Sequence, residues 1–133
     1  PVHEVTLQTS EVALLGRAPK SAIVVNDSSV SSTHLEFSIG HLPNGRFQTN
    51  GGRPHVFARD RSQNGTGLCK RILADGLPDL ANLLRLGSPP EVLEDGQVLV
   101  VPLRSKCRNV RQNEVLETSL FYFYAYQAGI RWP

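Results

Sequence analysis

The sequence contains no methionine, a single tryptophan and only two cysteines, Cys69 and Cys107. A disulfide scaffold is typically shorter and much richer in cysteine, so both thiols are expected to be reduced. The cysteines form no CxxC pair, and the four histidines have no ligand spacing around them. A structural zinc site is therefore not expected, and neither a metal nor another cofactor is predicted.

Long apolar runs and a leader pattern are also missing. No segment approaches the roughly 18 apolar residues of a membrane-spanning helix, and the N-terminus lacks the charged and then apolar order of a signal peptide. The 133 residues, 40% hydrophobic and 20% charged, suit one globular domain, and no membrane partner is expected. Because the chain starts at Pro1 rather than methionine and stops at Pro133, residues 1–133 are expected to be one domain of a longer protein.

The net charge is only +2, but the charges are unevenly distributed. Residues 17–71 hold eight basic and three acidic side chains, whereas residues 72–103 hold one basic and five acidic side chains. The positive charge of the first region favours an anionic partner. An ordinary solvated surface, on which charges of one sign are clustered by chance, is an equally weighted alternative. The basic stretch at residues 104–111 has no interleaved aromatics for stacking, so we expect a solvated loop and no nucleic-acid partner.

Short extended segments separated by turn residues predict an all-β sandwich or barrel. The strands are expected at residues 12–16, 22–25, 35–39, 55–60, 67–73, 97–103 and 117–127. Asn44-Gly45 is a tight-turn signal. The aromatic stretch from Ser119 to Tyr126 is expected to be a central strand covered on both faces, because an exposed strand of this kind is an aggregation hazard.

One segment departs from the strand pattern. Between Leu77 and Leu86 the leucines at positions 77, 80, 83 and 84 follow helical spacing, and Gly87 comes directly after. This spacing predicts one short amphipathic helix between strands. Its leucine face is expected to cap one end of the core; a docking surface for another domain is the alternative.

Three polar clusters lie at the ends of predicted strands: Gly16-Arg17, residues 31–34 (Ser-Ser-Thr-His) and residues 62–66 (Ser-Gln-Asn-Gly-Thr). Side chains at strand ends leave the core and can converge on one face. An arginine fork with serine hydroxyls and free backbone N–H groups suits a phosphate dianion. The clusters therefore predict an anion site. The plainer alternatives are a surface ion pair for Arg17 and a hairpin turn for Asn64-Gly65.

The order and spacing of these clusters resemble the forkhead-associated (FHA) domain, a reader of phosphothreonine in partner proteins. Leu15-Gly16-Arg17, the Ser-x-x-His of Ser31 and His34, Asn64-Gly65-Thr66 and residues 93–98 (Leu-Glu-Asp-Gly-Gln-Val) carry the resemblance, which covers almost the whole chain. It implies a two-sheet β-sandwich of about ten to eleven strands, here with one short inserted helix.

The resemblance also implies a role for each motif residue. Arg17 and Ser31 are expected to bind the phosphate, with a further contact from Ser32. Asn64 is expected to bind the backbone of the peptide, and Gln63 is expected to be a further phosphopeptide-binding residue. Four residues are expected to support the site without touching the ligand: Gly16, His34, Gly65 and Thr66.

The chain departs from the family pattern at three positions. Ser29 replaces a frequent arginine, Gln63 replaces a serine or threonine before Asn-Gly, and Cys69 replaces a second asparagine. Phosphate affinity is therefore expected to depend more heavily on Arg17 and Ser31, and peptide preference does not carry over from the family.

The resemblance implies a binding module without catalytic activity, whose partner is a phosphothreonine-containing protein segment. The family is common in checkpoint and meiotic protein kinases and in other nuclear signalling proteins. A nuclear location and a role in DNA-damage or cell-cycle signalling are therefore expected for the parent protein.

Two other functions remain open at this point. The first is an enzyme with Ser31 or Cys107 as nucleophile and His34 as base, although no Gly-x-Ser-x-Gly elbow is present. The second is a phosphate-independent interaction or dimerisation domain, which would use the Leu77 to Leu86 segment or the late aromatic strand.

Overall fold

The computed structural model describes residues 2–8, 10–40, 54–103 and 120–125. In this part of the chain the protein is all-β, with nine strands and no helix. The strands are β1 (Val12–Gly16), β2 (Ile23–Val24), β3 (Leu35–Gly40), β4 (His55–Asp60), β5 (Gly67–Cys69), β6 (Leu84–Arg85), β7 (Glu91–Leu93), β8 (Val98–Val100) and β9 (Leu120–Tyr122). No helix in the described ranges is long and apolar enough to cross a membrane.

The strands form two sheets that share one core. The first sheet has the order β2-β1-β3-β4-β7, and the second has the order β6-β5-β8-β9. All pairs are antiparallel except β1 with β2. The core takes Leu15, Leu35 and Ala58 from the first sheet and Leu68 and Leu99 from the second. The sandwich expected from the sequence is therefore confirmed.

The β3–β4 pair forms the centre of the first sheet. Its register runs from Leu35 opposite Asp60 to Gly40 opposite His55. Phe37 packs against the core, whereas Glu36 pairs with Arg59 across the strands, in keeping with the period-2 alternation of the sequence. The predicted turn at residues 44–45 lies outside the described residues.

The helix predicted between Leu77 and Leu86 is wrong. Pro78 forms a bridge with Ile72, and the segment then turns and enters β6, which pairs with β5. A Cβ on Gly67 would lie 3.3 Å from Leu83 Cδ1, so this leucine packs on the second sheet. The cause is that pairing with β5 and packing on the sheet outweigh a weak local helix preference.

The aromatic strand is only half covered. Phe121 and Phe123 pack against the core, whereas Tyr122 and Tyr124 are 50% and 69% exposed. Among the described strands β9 pairs with β8 and ends the second sheet. The prediction that this strand is covered on both faces is therefore wrong for residues 120–125, because alternation places the more water-tolerant tyrosines outward.

The cysteine prediction is confirmed for Cys69, which is a buried free thiol. Its Sγ donates to the carbonyl oxygens of Arg71, at 3.0 Å, and of Asp79, at 3.5 Å. Cys107 and the basic stretch at residues 104–111 lie outside the described residues.

Candidate functional site

The three polar clusters meet at one end of the sandwich. In the first sheet Leu15 pairs with Leu35, and Leu35 pairs with Asp60. The same end of the first sheet therefore carries three segments: the chain that follows β1, the chain that precedes β3 and the chain that follows β4. We call these segments the Arg17 loop (residues 17–22), the Ser31 loop (residues 25–34) and the Asn64 loop (residues 61–66).

The Arg17 loop and the Ser31 loop are held together through their backbones. Arg17 N donates to Ser31 O at 2.9 Å, and Ala18 N donates to Ser32 O at 3.1 Å. The approach requires glycine at position 16, because a Cβ there would lie 2.9 Å from Ser31 O and 2.8 Å from Ser32 C. Gly16 therefore permits the contact that places Arg17 beside Ser31.

The Arg17 side chain is exposed, but one end of its guanidinium is fixed. Its Nε donates to Val30 O at 3.1 Å. The ion pairs among the described residues join Arg59 and Arg61 to Glu36, and Arg17 takes no part in them. The two Nη groups of Arg17 are therefore available to an anion in a planar fork geometry.

His34 joins the Ser31 loop to the Asn64 loop from beneath. The imidazole is fully buried; Ser31 N donates to its Nδ1 at 3.1 Å, and its Nε2 lies 2.9 Å from Gly65 O. Because Nδ1 accepts and the carbonyl only accepts, the ring is neutral with the proton on Nε2. Burial lowers the pKa of His34 below 6.5, and the Gly65 carbonyl and the Asp60 charge oppose this shift.

This geometry excludes the serine nucleophile considered above. The His34 ring contacts the backbone N–H of Ser31 and not the hydroxyl. The Ser31 Oγ instead accepts from Gln63 N at 3.2 Å, across to the Asn64 loop. The hydroxyl proton remains available to a ligand, which suits a binding role rather than a serine–histidine pair.

Asn64 and Gln63 lie at the tip of the Asn64 loop. Asn64 Nδ2 donates to Ser29 O at 2.7 Å, which ties this loop to the Ser31 loop, and the side chain is half-buried. One N–H and Oδ1 of the amide remain for a further partner. The Gln63 side chain is exposed.

Asp60 organises the Asn64 loop, and the sequence analysis missed this role. Its Oδ1 accepts from Ser62 Oγ at 2.6 Å, from Thr66 Oγ1 at 2.9 Å and from Ser62 N at 3.3 Å. Ser62 Oγ in turn accepts from Gly65 N at 2.8 Å. The carboxylate thus braces both ends of the loop that carries Gln63 and Asn64.

A repeated local signal would have identified this residue. Asp27 stands two positions before Ser29, as Asp60 stands two positions before Ser62, and each Asp accepts from the backbone N–H of its serine. Such turns are a known property of aspartate, and the two Asp-x-Ser segments lie near the start of the Ser31 loop and at the junction of β4 with the Asn64 loop.

Gly65 and Thr66 shape the end of the Asn64 loop. Gly65 has a φ of +85°, a left-handed conformation that side chains other than glycine rarely adopt. Thr66 is fully buried, and its carbonyl accepts from Leu86 N at 2.9 Å. A Cβ on Gly65 would lie 3.5 Å from Arg85 Nε, so Arg85, which sequence reasoning did not select, stands next to this loop.

The structure therefore brings all nine predicted site residues into one contiguous cluster at one end of the sandwich. In the described part of the chain no group of three or more metal-ligating side chains is present. The cluster offers hydrogen-bond donors on exposed loops that the neutral His34 ring and the Asp60 carboxylate hold in place. This arrangement is suited to holding an anion and an extended chain.

A family model for the FHA domain matches residues 13–102, which include the whole cluster. The match covers more than half of the chain, and the chain belongs to the FHA family. An FHA domain is a phosphopeptide-binding signalling module and is not catalytic. None of the curated proteins matches the chain in sequence.

Solved structures of FHA domains resemble the chain at low sequence identity. The MEK1 FHA domain has 22% identity and a TM-score of 0.47, over 72% of this chain and 66% of that chain. The N-terminal FHA domain of RAD53P from S. cerevisiae, solved with a phosphothreonine peptide, has 20% identity and a TM-score of 0.45, over 83% and 62%. The yeast Dun1 FHA domain, solved with a doubly phosphorylated peptide, has 20% identity and a TM-score of 0.44, over 87% and 78%. The matched regions cover less than two thirds of the MEK1 and RAD53P chains.

Proposed function

We propose that this domain binds protein segments phosphorylated on threonine, and that Arg17, Ser31 and Ser32 hold the phosphate. The observation that supports this most strongly is the hydrogen bond between Arg17 N and Ser31 O, because it holds the residue with two available Nη groups next to the residue with the Ser31 hydroxyl. Both groups donate, neither is neutralised by a carboxylate in the described residues, and a phosphate dianion accepts from both.

Each phosphate contact has a distinct source. Arg17 supplies its Nη groups, since its Nε already donates a hydrogen bond to Val30 O. Ser31 supplies its hydroxyl, since its N–H is bonded to His34. Ser32 is exposed, its carbonyl is bonded to Ala18, and its hydroxyl and N–H are the groups proposed to reach the ligand. Charge-assisted hydrogen bonds of this kind stabilise a complex by roughly 1.5–3 kcal/mol each.

Asn64 and Gln63 are proposed to hold the peptide backbone. The remaining N–H and Oδ1 of Asn64 match the C=O and N–H groups that an extended chain presents. Gln63 is exposed at the neighbouring position and is proposed to contact the same stretch of the peptide. These contacts to the backbone do not depend on the side chains of the peptide. They fix the register of the peptide, and the phosphate determines whether the peptide binds.

Gly16, His34, Gly65 and Thr66 are proposed to act beneath the ligand. Gly16 allows the two upstream loops to touch, and His34 fixes the Ser31 loop to the Asn64 loop. Gly65 and Thr66 close the Asn64 loop against the second sheet. The site is thus formed before the ligand arrives, which lowers the entropy cost of binding.

We further propose that residues 1–133 act as a recruitment domain of a longer protein, bringing it to partners once a kinase has modified them. The family is common in nuclear proteins of DNA-damage and cell-cycle signalling, and a nuclear location is proposed on that basis. Fluorescence imaging of the tagged parent protein before and after DNA damage tests this part; an exclusively cytoplasmic signal under both conditions contradicts it.

The binding proposal is tested with an oriented phosphothreonine peptide library on the purified domain. We expect selective retention of phosphothreonine peptides over the unphosphorylated and phosphoserine libraries. The best sequence is then titrated by calorimetry in its phosphorylated and unphosphorylated forms. Equal affinity for the two forms would overturn the proposal.

A further inference from the structure

Arg85 lies at the binding end of the sandwich, although it is far from the phosphate-site motifs in sequence. It ends β6 opposite Gly67, the first residue of β5. Its side chain extends from this position towards Gly65, where a Cβ would lie 3.5 Å from Arg85 Nε and 3.2 Å from Leu103 Cβ. Since Gly65 directly follows Asn64, the guanidinium borders the strip of surface assigned to the peptide backbone.

The charge of Arg85 is not neutralised in the described part of the chain. The ion pairs there involve Arg59 and Arg61, both with Glu36, whereas Arg85 is exposed and forms none. The distance of 3.5 Å between Arg85 Nε and a Cβ on Gly65 is an ordinary van der Waals contact, so the side chain lies against the end of the Asn64 loop. An exposed arginine fork beside a peptide path is suited to a carboxylate or a second phosphate.

The distance from the phosphate site is compatible with contact by one bound peptide. Ser31 Oγ contacts Gln63 N at 3.2 Å, Gln63 is two residues from Gly65, and Gly65 borders Arg85. Standard backbone dimensions limit this path to about 17 Å, which an extended peptide spans in about five residues. A peptide anchored at Ser31 therefore reaches Arg85 within about five residues of its phosphothreonine.

From this placement we propose that Arg85 forms an anionic side-chain subsite, which selects peptides carrying an acidic residue within about five positions of the phosphothreonine. The inference rests on the proposed function and adds sequence preference to it. Asn64 and Gln63 are proposed to contact the peptide backbone, and the preference for an acidic side chain is assigned to Arg85.

The test is an aspartate scan on one phosphothreonine peptide with alanine at all other positions. Each peptide carries a single Asp, from five positions before to five positions after the phosphothreonine, and is titrated at low ionic strength against four proteins: the unmodified domain, Arg85→Gln, Arg85→Glu and Arg71→Ala. Arg71 is a matched control because it is also an exposed arginine and lies beyond the far end of β5.

At one or two positions we expect Asp to improve binding to the unmodified domain and to Arg71→Ala by about three- to fivefold, as for an exposed ion pair. Arg85→Gln loses this gain but still binds the all-alanine phosphopeptide. Arg85→Glu reverses it, so that a counterpart peptide with Lys in place of that Asp binds more tightly than the Asp peptide. The Asp gain also declines as salt is raised.

Two failures are distinguishable. If no phosphothreonine peptide binds the unmodified domain, the proposed function fails and the subsite fails with it. If phosphopeptides bind but no Asp position shows a gain that depends on Arg85, the subsite alone is refuted. A gain that persists in Arg85→Gln and Arg85→Glu also refutes the subsite, because the acidic residue then binds to another part of the domain.

Discussion

Arg17 and Ser31 are joined by a hydrogen bond of 2.9 Å from Arg17 N to Ser31 O, which holds two loops side by side at one end of the sandwich. The Arg17 side chain leaves this junction with its Nε bonded to Val30 O. The arginine that is proposed to meet the phosphate is therefore positioned by its backbone and by its own side chain. Such a fixed donor loses little conformational entropy on binding.

Replacement of Arg17 by alanine is predicted to weaken phosphothreonine-peptide binding at least tenfold, or about 1.4 kcal/mol, because the two Nη groups are lost. Calorimetric titration measures the loss. Thermal unfolding should change little, since the side chain is exposed. Arg71→Ala is the control and should bind normally; equal losses in both variants would indicate a general charge effect rather than a phosphate contact.

Replacement of Gly16 by alanine is predicted to lower both stability and affinity. The added Cβ would lie 2.9 Å from Ser31 O, and backbone has to shift to admit it. We expect the free energy of unfolding in urea to fall by about 1–3 kcal/mol, as for other overpacked sites.

Gly87→Ala is the matched control for Gly16. The nearest atom to its Cβ would be Pro89 Cδ at 3.6 Å, an ordinary contact. Its unfolding free energy should change by less than about 1 kcal/mol, and peptide binding should be unaffected. If Gly16→Ala is as well tolerated as Gly87→Ala, the two loops do not need to touch for the fold or for binding.

The buried His34 predicts that stability falls on acidification. The unfolded chain takes up a proton on this ring near pH 6.5, whereas the folded pKa is lowered by burial. The unfolded state therefore binds more protons below pH 6.5, and the free energy of unfolding decreases as pH drops from 6.5 towards the folded pKa. Protonation also places an N–H on Nδ1 facing Ser31 N.

Urea unfolding of the domain between pH 7.5 and pH 5 measures this dependence. His34→Gln should be less stable at pH 7.5 but should show a shallower decline with acid, because the titrating ring is gone. An identical pH slope in the two proteins would assign the decline to other groups. Binding measured in the same range has to allow for the phosphate, whose second pKa is about 6.

Asp60→Ala is predicted to weaken peptide binding more than Asp60→Asn. The asparagine keeps an oxygen that can accept from Ser62 and Thr66, whereas alanine leaves these groups without the acceptor. Calorimetry of both variants, with Asp75→Ala as an exposed control, measures the effect. Equal affinity in Asp60→Ala and the unmodified domain would show that the Asn64 loop keeps its shape without this carboxylate.

The strands that form the site were predictable because their signals are local. β4 was expected at residues 55–60 and is found there, and β1 and β3 agree to within a residue, since short apolar or alternating runs bounded by turn residues have few alternatives. The loops between them carry the polar clusters, so their convergence followed from strand order once a sandwich was assumed.

The region from Leu77 to Leu86 was not predictable in the same way. Its leucine spacing fits a helix, but the deciding interactions are the pairing of Arg85 with Gly67 and of Leu84 with Leu68, which lie far apart in sequence. Because a helix was predicted for this segment, the sequence did not indicate that Arg85 is a neighbour of Gly65. Asp60 differs from Arg85 in this respect. Its Asp-x-Ser signal is local, so the role of Asp60 was predictable from the sequence.

The most direct test of the central claim is an NMR titration of the labelled domain with a phosphothreonine peptide and its unphosphorylated twin. The phosphorylated peptide is predicted to shift the backbone amides of Arg17, Ser31, Ser32, Gln63 and Asn64, while the twin leaves them in place. Shifts that map to another surface, or that are the same with both peptides, would contradict the account.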